Sequence, residues 1–159
     1  MDLLFCTAGD SPALRYAVSL LKKAGIPLFG FFMVGFPWET KEDIINNLKF
    51  IFKIDPDFIE VHIAMPYYGT ELYSQCQQYN TVNSAAWGND YFSPNTIGTQ
   101  TVPMEEIQKI RNEYLLKFYL RPKYITKKVI YCLHNPTVLK NYVKHGLKLL
   151  NTIFRKKNG

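Results

Sequence analysis

The chain has 159 residues, 47% apolar, 15% aromatic and 20% charged, with a formal net charge of +6. That length fits one domain burying about two thirds of its unfolded surface; 11 Phe, 11 Tyr and 2 Trp exclude disorder, and 9 Gly and 9 Pro are too few and scattered for a low-complexity chain. No apolar run approaches the ~20 residues a membrane span needs, and Asp2 stands where a signal peptide carries positive charge, so a cytoplasmic protein is the expectation.

Residues 11–24 read as a helix. Ser11 is a suitable N-cap, Pro12 fits the first helical position, and Leu14, Ala17, Val18 and Leu21 repeat at helical spacing before Gly25 stops the run. Leu28 to Gly35 is a continuous apolar run of strand length, the pattern of a strand buried on both faces. Thr40 opens a second helix with Asp43 as its capping-box partner, and Ile44, Ile45, Leu48, Ile51 and Phe52 form its stripe up to Asp55-Pro56. Phe58 to Met65 reads as a second strand, stopped by Pro66. Strand, helix and strand at this spacing make a βαβ unit, so the strands are expected to be parallel in an α/β fold.

Residues 70–79 read as a short helix capped by Thr70, and 80–102, rich in Asn, Ser, Thr and Gly, as a long loop. Helices are expected over 104–120, 123–133 and 137–154, separated by Pro122 and Pro136. Two strands are few for an α/β domain. Either a further strand lies around Leu3 to Cys6, or the sheet is completed by chain outside this sequence, as in a fragment.

Two turns carry candidate chemistry. Gly30-Phe31-Phe32-Met33-Val34-Gly35-Phe36-Pro37-Trp38-Glu39-Thr40 runs off the first strand into a helix, and Ala64-Met65-Pro66-Tyr67-Tyr68-Gly69-Thr70-Glu71-Leu72-Tyr73 leaves the second. Ligands of parallel α/β sheets bind beyond the carboxyl ends of the strands, and both turns open onto that rim. Taken alone, the first turn is also what a plain, well-capped β–α connection requires.

In order, Ala24-Gly25-Ile26, GFFMVGFPWET and PDFIEVHIAMPYYGTELY, with the later Lys117-Phe118-Tyr119-Leu120-Arg121-Pro122-Lys123-Tyr124-Ile125, resemble the second half of a radical S-adenosylmethionine enzyme barrel. The likeness is to the class with an N-terminal cobalamin-binding domain, including magnesium-protoporphyrin ester cyclase-like proteins, and covers about residues 14–150. It implies a partial (β/α) barrel, the last parallel strands of a TIM-like barrel, followed by a helical extension. It implies that Met33, Val34 and Gly35 give apolar contact to the adenine of S-adenosylmethionine, and that Ala64, Met65 and Pro66 meet it through backbone groups. Tyr67 and Tyr68 would face the substrate, Tyr68 standing where the family more usually has Pro, and Glu39 would be structural.

The chain departs from that family in its cysteines. Cys6, Cys76 and Cys132 lie far apart in sequence, so no CxxxCxxC run for a [4Fe–4S] cluster is present. They read as reduced structural thiols, and no catalytic residue and no metal ligand is assigned. His62 reads as a satisfied core or rim histidine, and His134 and His145 have no neighbouring carboxylate in sequence. The expectation is the C-terminal part of such an enzyme, inactive alone: 1–80 from the barrel, 81–103 a loop and 104–159 a basic helical extension. The cluster, cobalamin and the missing N-terminal half would belong to the parent enzyme or another chain, and the substrate would be a small molecule or lipid.

Charge is segregated. Residues 1–120 carry 9 Lys+Arg and 13 Asp+Glu, net −4, whereas 121–159 carry 10 Lys+Arg and no acid. Such a tail is either a solvated helix face or a surface for an anionic partner. The rival to the enzyme reading is therefore a non-enzymatic helical module docking on an anionic membrane or partner through residues 121–157. That would place the protein at the inner face of the membrane; nucleic acid ranks behind the membrane.

Overall fold

The computed structural model describes residues 2–6, 12–82 and 98–134, the side chains of 2–6 and 132–134 excepted. Ser11, most of the expected loop, the helix expected over 137–154, His145 and the thiols of Cys6 and Cys132 lie outside the described residues. The fold is mixed α/β. In chain order the elements are β1 (Asp2–Cys6), α1 (Pro12–Lys23), β2 (Leu28–Val34), α2 (Lys41–Ile54), β3 (Phe58–Ile63), α3 (Glu71–Gln78), α4 (Met104–Tyr119) and α5 (Pro122–His134). They group into two units, 1–113 and 114–159.

The three strands form one parallel sheet in the order β1-β2-β3. The segment around Leu3 to Cys6 is thus the third strand that the sequence offered as one of two alternatives. In β2–β3, Phe29 stands opposite Phe58, Phe31 opposite Glu60 and Met33 opposite His62. A backbone hydrogen bond from Ala64 N–H to Val34 O at 2.8 Å carries the pairing one step past β3.

Helix α2 forms because its signals agree. The Thr40 hydroxyl accepts from the Asp43 amide at 3.2 Å while an Asp43 carboxylate oxygen accepts from the Thr40 amide at 2.9 Å, a complete capping box. The Thr40 hydroxyl also donates to that carboxylate at 2.6 Å, and this bond first, then the one from the Thr40 amide, holds the Asp43 carboxyl below its ordinary value. Ile44, Leu48, Ile51 and Ile54 are buried on one stripe, each contributing about 1.5–3 kcal/mol on leaving water. The helix stops at Asp55, which adopts a left-handed φ of 48°, and Lys22 of α1 donates to the Ile54 carbonyl at 2.5 Å, a cation where the helix dipole favours one. Asp57 then pairs with the start of β2, accepting from the Leu28 amide at 3.1 Å and donating its own amide to Leu28 O at 3.0 Å.

The faces of β2 differ, where the unbroken apolar run suggested two equally buried faces. Leu28, Gly30, Phe32 and Val34 are buried, while Phe29, Phe31 and Met33 are only half-buried. On β3, Ile59 and Val61 are buried, and Phe58, Glu60 and His62 are not. The open face is largely aromatic: Phe29 stacks on Phe31 at 4.6 Å between centroids and lies 6.1 Å from Phe58. Large rings shield one another laterally, so an apolar run persists in sequence even where its residues are only half-buried.

Gly30 lies on the buried face. A Cβ there would stand 2.6 Å from Phe32 Cε2 and 3.4 Å from Pro56 Cγ. Gly30→Ala should therefore cost about 1–3 kcal/mol by overpacking, and clearly less in a Phe32→Leu background. Denaturant titration of the two single variants and the double variant would check this, and additive costs would remove the steric explanation.

Candidate functional site

Beyond the ends of β2 and β3 stand two turns, both locked from within. In the first, Gly35 adopts φ 87°, a region open to glycine, and a Cβ on it would approach Ile63 Cγ2 to 3.0 Å. Glu39 is buried beneath this turn. One of its oxygens accepts from the Gly35 amide at 2.6 Å and the Phe36 amide at 3.0 Å, and the other from Asn47 Nδ2 at 2.8 Å. Burial raises its carboxyl above the ordinary value, the three hydrogen bonds oppose that rise, and Asp43 adds to it. Trp38 remains exposed at the tip, stacked on Phe36 at 5.2 Å.

The second turn closes on Thr70. Its hydroxyl donates to Tyr67 O at 2.6 Å and accepts from the Tyr73 amide at 3.2 Å, capping α3, while Gly69 takes φ 82°. Tyr67 and Tyr68 are exposed. Tyr67 Oη lies 3.7 Å from Met65 Sδ, and Tyr68 meets the Tyr73 ring edge-on at 5.4 Å.

A third segment joins the first turn. Gln100 N–H donates to Pro37 O at 3.0 Å, and the buried Thr99 hydroxyl accepts from the amides of Thr101 at 3.3 Å and Val102 at 3.0 Å. Nothing in the sequence had distinguished this stretch from the rest of the polar loop.

Of the residues singled out from sequence, Val34, Gly35, Ala64 and Pro66 are buried, whereas Met33 and Met65 are half-buried. The Ala64 amide is already used by Val34 O. Met33 and Met65 are therefore the ones whose side chains offer apolar surface, and Tyr67 and Tyr68 offer exposed rings. Next to Met33 across the register, His62 Nε2 and Glu60 Oε2 lie 3.1 Å apart, both exposed, with the His62 ring over Phe31 at 6.1 Å and 13°. His62 thus sits on the open face, paired, rather than in the core.

Cys76 is buried on α3. Burial raises its thiol, opposed by a hydrogen bond from Thr81, as befits an inert structural cysteine. Among the described residues no three His, Cys, Asp or Glu side chains stand together in a way that could hold a metal ion. Among the described residues the single thiol, Cys76, is buried, and the sequence holds no CxxxCxxC run, so the described donors do not make an iron–sulfur ligand set.

The chain is similar to an uncharacterized methyltransferase of Pyrococcus horikoshii, with 30% identity over 133 residues. The match takes in 84% of this chain and 28% of that protein, so the chain spans little more than a quarter of the relative's length. No protein-family model matches the chain.

Glu39→Ala leaves two turn amides without their acceptor, and should cost about 3 kcal/mol, as orphaned buried donors do. Because folded Glu39 keeps its proton to higher pH than the unfolded chain does, its ionisation opposes folding as pH rises from the ordinary value of 4.5. The stability of the native chain relative to Glu39→Gln, which does not titrate, should decline over that rise. Urea melts from below 4.5 to neutrality would show it, and a difference that grows with pH would refute the direction.

Proposed function

We propose that this chain is the C-terminal part of a radical S-adenosylmethionine enzyme of the cobalamin-associated class, engaged in methyl-transfer-related chemistry. The observation that carries the reading is that two signature turns, GFPWET and PYYGTELY, stand side by side at the carboxyl end of a parallel sheet. Similarity to a methyltransferase along most of the chain supports it.

On this reading the sheet is part of a (β/α) barrel and the open aromatic face lines its interior. Met33 and Met65 give apolar surface to the adenine, and the buried Val34, Gly35, Ala64 and Pro66 fix where that surface stands. Tyr67 and Tyr68 meet the substrate, a small molecule or lipid. The parent reaction is reductive cleavage of S-adenosylmethionine followed by radical methylation, cyclisation or rearrangement. The [4Fe–4S] ligands, and any cobalamin domain, come from outside this chain, in an N-terminal half that precedes it or belongs to another chain.

A second reading concerns the C-terminal segment: residues 121–157 as a docking module for an anionic membrane or partner. It would hold a cytoplasmic protein at the inner face of the membrane. Its support is the absence of any acid among ten basic residues after position 120. Among the described residues no helix is long and apolar enough to cross a membrane.

Reconstitution with iron and sulfide tests the enzyme reading. The chain alone should form no stable cluster and release no 5′-deoxyadenosine. Joined to a CxxxCxxC-bearing half-barrel it should do both, with release lowered by Met33→Glu or Met65→Glu by at least about tenfold, as loss of an apolar ligand contact implies. A cluster that cleaves S-adenosylmethionine in the chain alone would sink the proposal.

A further inference from the structure

Helix α5 packs by an unusual side. Its contact with the end of α4 is made by Tyr124, whose ring lies 5.5 Å from Phe118 and 5.3 Å from Tyr119, with Lys128 Nζ 5.2 Å over it. Arg121 fixes the corner, its guanidinium 4.1 Å over the Phe118 ring and its Nε donating to Phe118 O at 3.0 Å. Ile125 and Val129, one turn apart, fall on a different side of the helix, at 43% and 52% exposure, and Ile130 stands beyond them at 57%. A helix of a water-facing protein normally buries such a stripe and exposes its cations. Here the β-branched residues face outward, between lysines at 123, 127 and 128.

We propose that α5 is an interfacial helix. It lies along an anionic bilayer with Ile125, Val129 and Ile130 at the acyl boundary and Lys123, Lys127 and Lys128 among the headgroups. The proposal rests on the reading of 121–157 as an anionic-surface module and names both its lipid partner and the face that enters it. Charge complementarity selects that partner: the segment carries ten cations and no acid, and a helix about 10 Å across is no thicker than a Debye length, so lysines around its circumference feel the surface. The apolar stripe separates lipid from nucleic acid, whose phosphates would reward the lysines and leave Ile125 and Val129 unused. At 13 residues α5 is too short to span.

Co-sedimentation of the full chain with phosphatidylcholine vesicles, with and without phosphatidylglycerol, tests this. Binding should require phosphatidylglycerol and weaken with salt. Ile125→Glu with Val129→Glu should lower partitioning about tenfold or more, with the circular dichroism spectrum unchanged. Lys127→Gln and Lys128→Gln should each lower it about fivefold. Val129→Trp should shift its fluorescence to the blue on vesicle addition. If the native chain binds anionic vesicles but the two glutamate substitutions and the tryptophan probe register nothing, the inserted face is overturned while the anionic-surface reading stands. If the native chain ignores anionic vesicles at low salt, both fall. Retention on a duplex oligonucleotide with no vesicle binding would overturn the lipid assignment in favour of nucleic acid.

Discussion

One buried carboxylate organises the rim of the sheet. Glu39 costs free energy to bury, and its position is tolerable because three donors converge on it. Two of those donors belong to the turn itself, so the carboxylate sets where the chain goes after β2. Gly35 can follow only because it has no Cβ, and Pro37 then presents the carbonyl that receives Gln100 N–H. The 98–103 segment and the start of α4 are thereby tied to the same turn, with Ile107 within reach of Gly35. Lys41 and Glu106 pair at 2.6 Å across this region, but both are exposed and contribute little beside the buried bonds.

The parts legible in the sequence are those whose physics is local. The Thr40–Asp43 capping box and the Thr70 cap were legible because cap and partner lie three residues apart, and Gly35 because a glycine between an apolar run and a proline has few other uses. Asn47 carried no such mark: it is a polar residue on a helix, and only the fold brings it to Glu39. Likewise β1 could be offered only as an alternative, since five residues at the edge of a parallel sheet pair with a strand more than twenty positions away. The run from Leu28 to Gly35 was legible as a strand but silent about its faces, because Phe29 and Phe31 are as apolar as the residues that are buried.

The half-covered face gives the sheet its meaning. Parallel sheets are stable when both sides are shielded, and here Phe29, Phe31 and Phe58 shield one another in part, while Glu60 and His62 stand on the same surface opposite Phe31 and Met33. An apolar floor that carries a paired imidazole and carboxylate offers both apolar and polar groups. On the half-barrel reading the added strands would cover the floor and leave the polar pair facing the reaction space.

The two ends of the chain then constrain one another. Residues 1–120, net −4, are repelled by an anionic surface, and residues 121–159, net +10, are drawn to it. Attachment through α5 would therefore hold the chain by its tail while keeping the acidic body from adhering. It would also raise the local concentration of membrane-soluble compounds relative to free metabolites, as tethering does. On the enzyme reading proposed above, with a small molecule or a lipid as substrate, a lipid would be the one for which a basic, outward-facing apolar helix adds something. On that same reading the exposed Tyr67 and Tyr68 would suit it, since each offers an apolar ring body with a polar tip to a molecule that carries both characters.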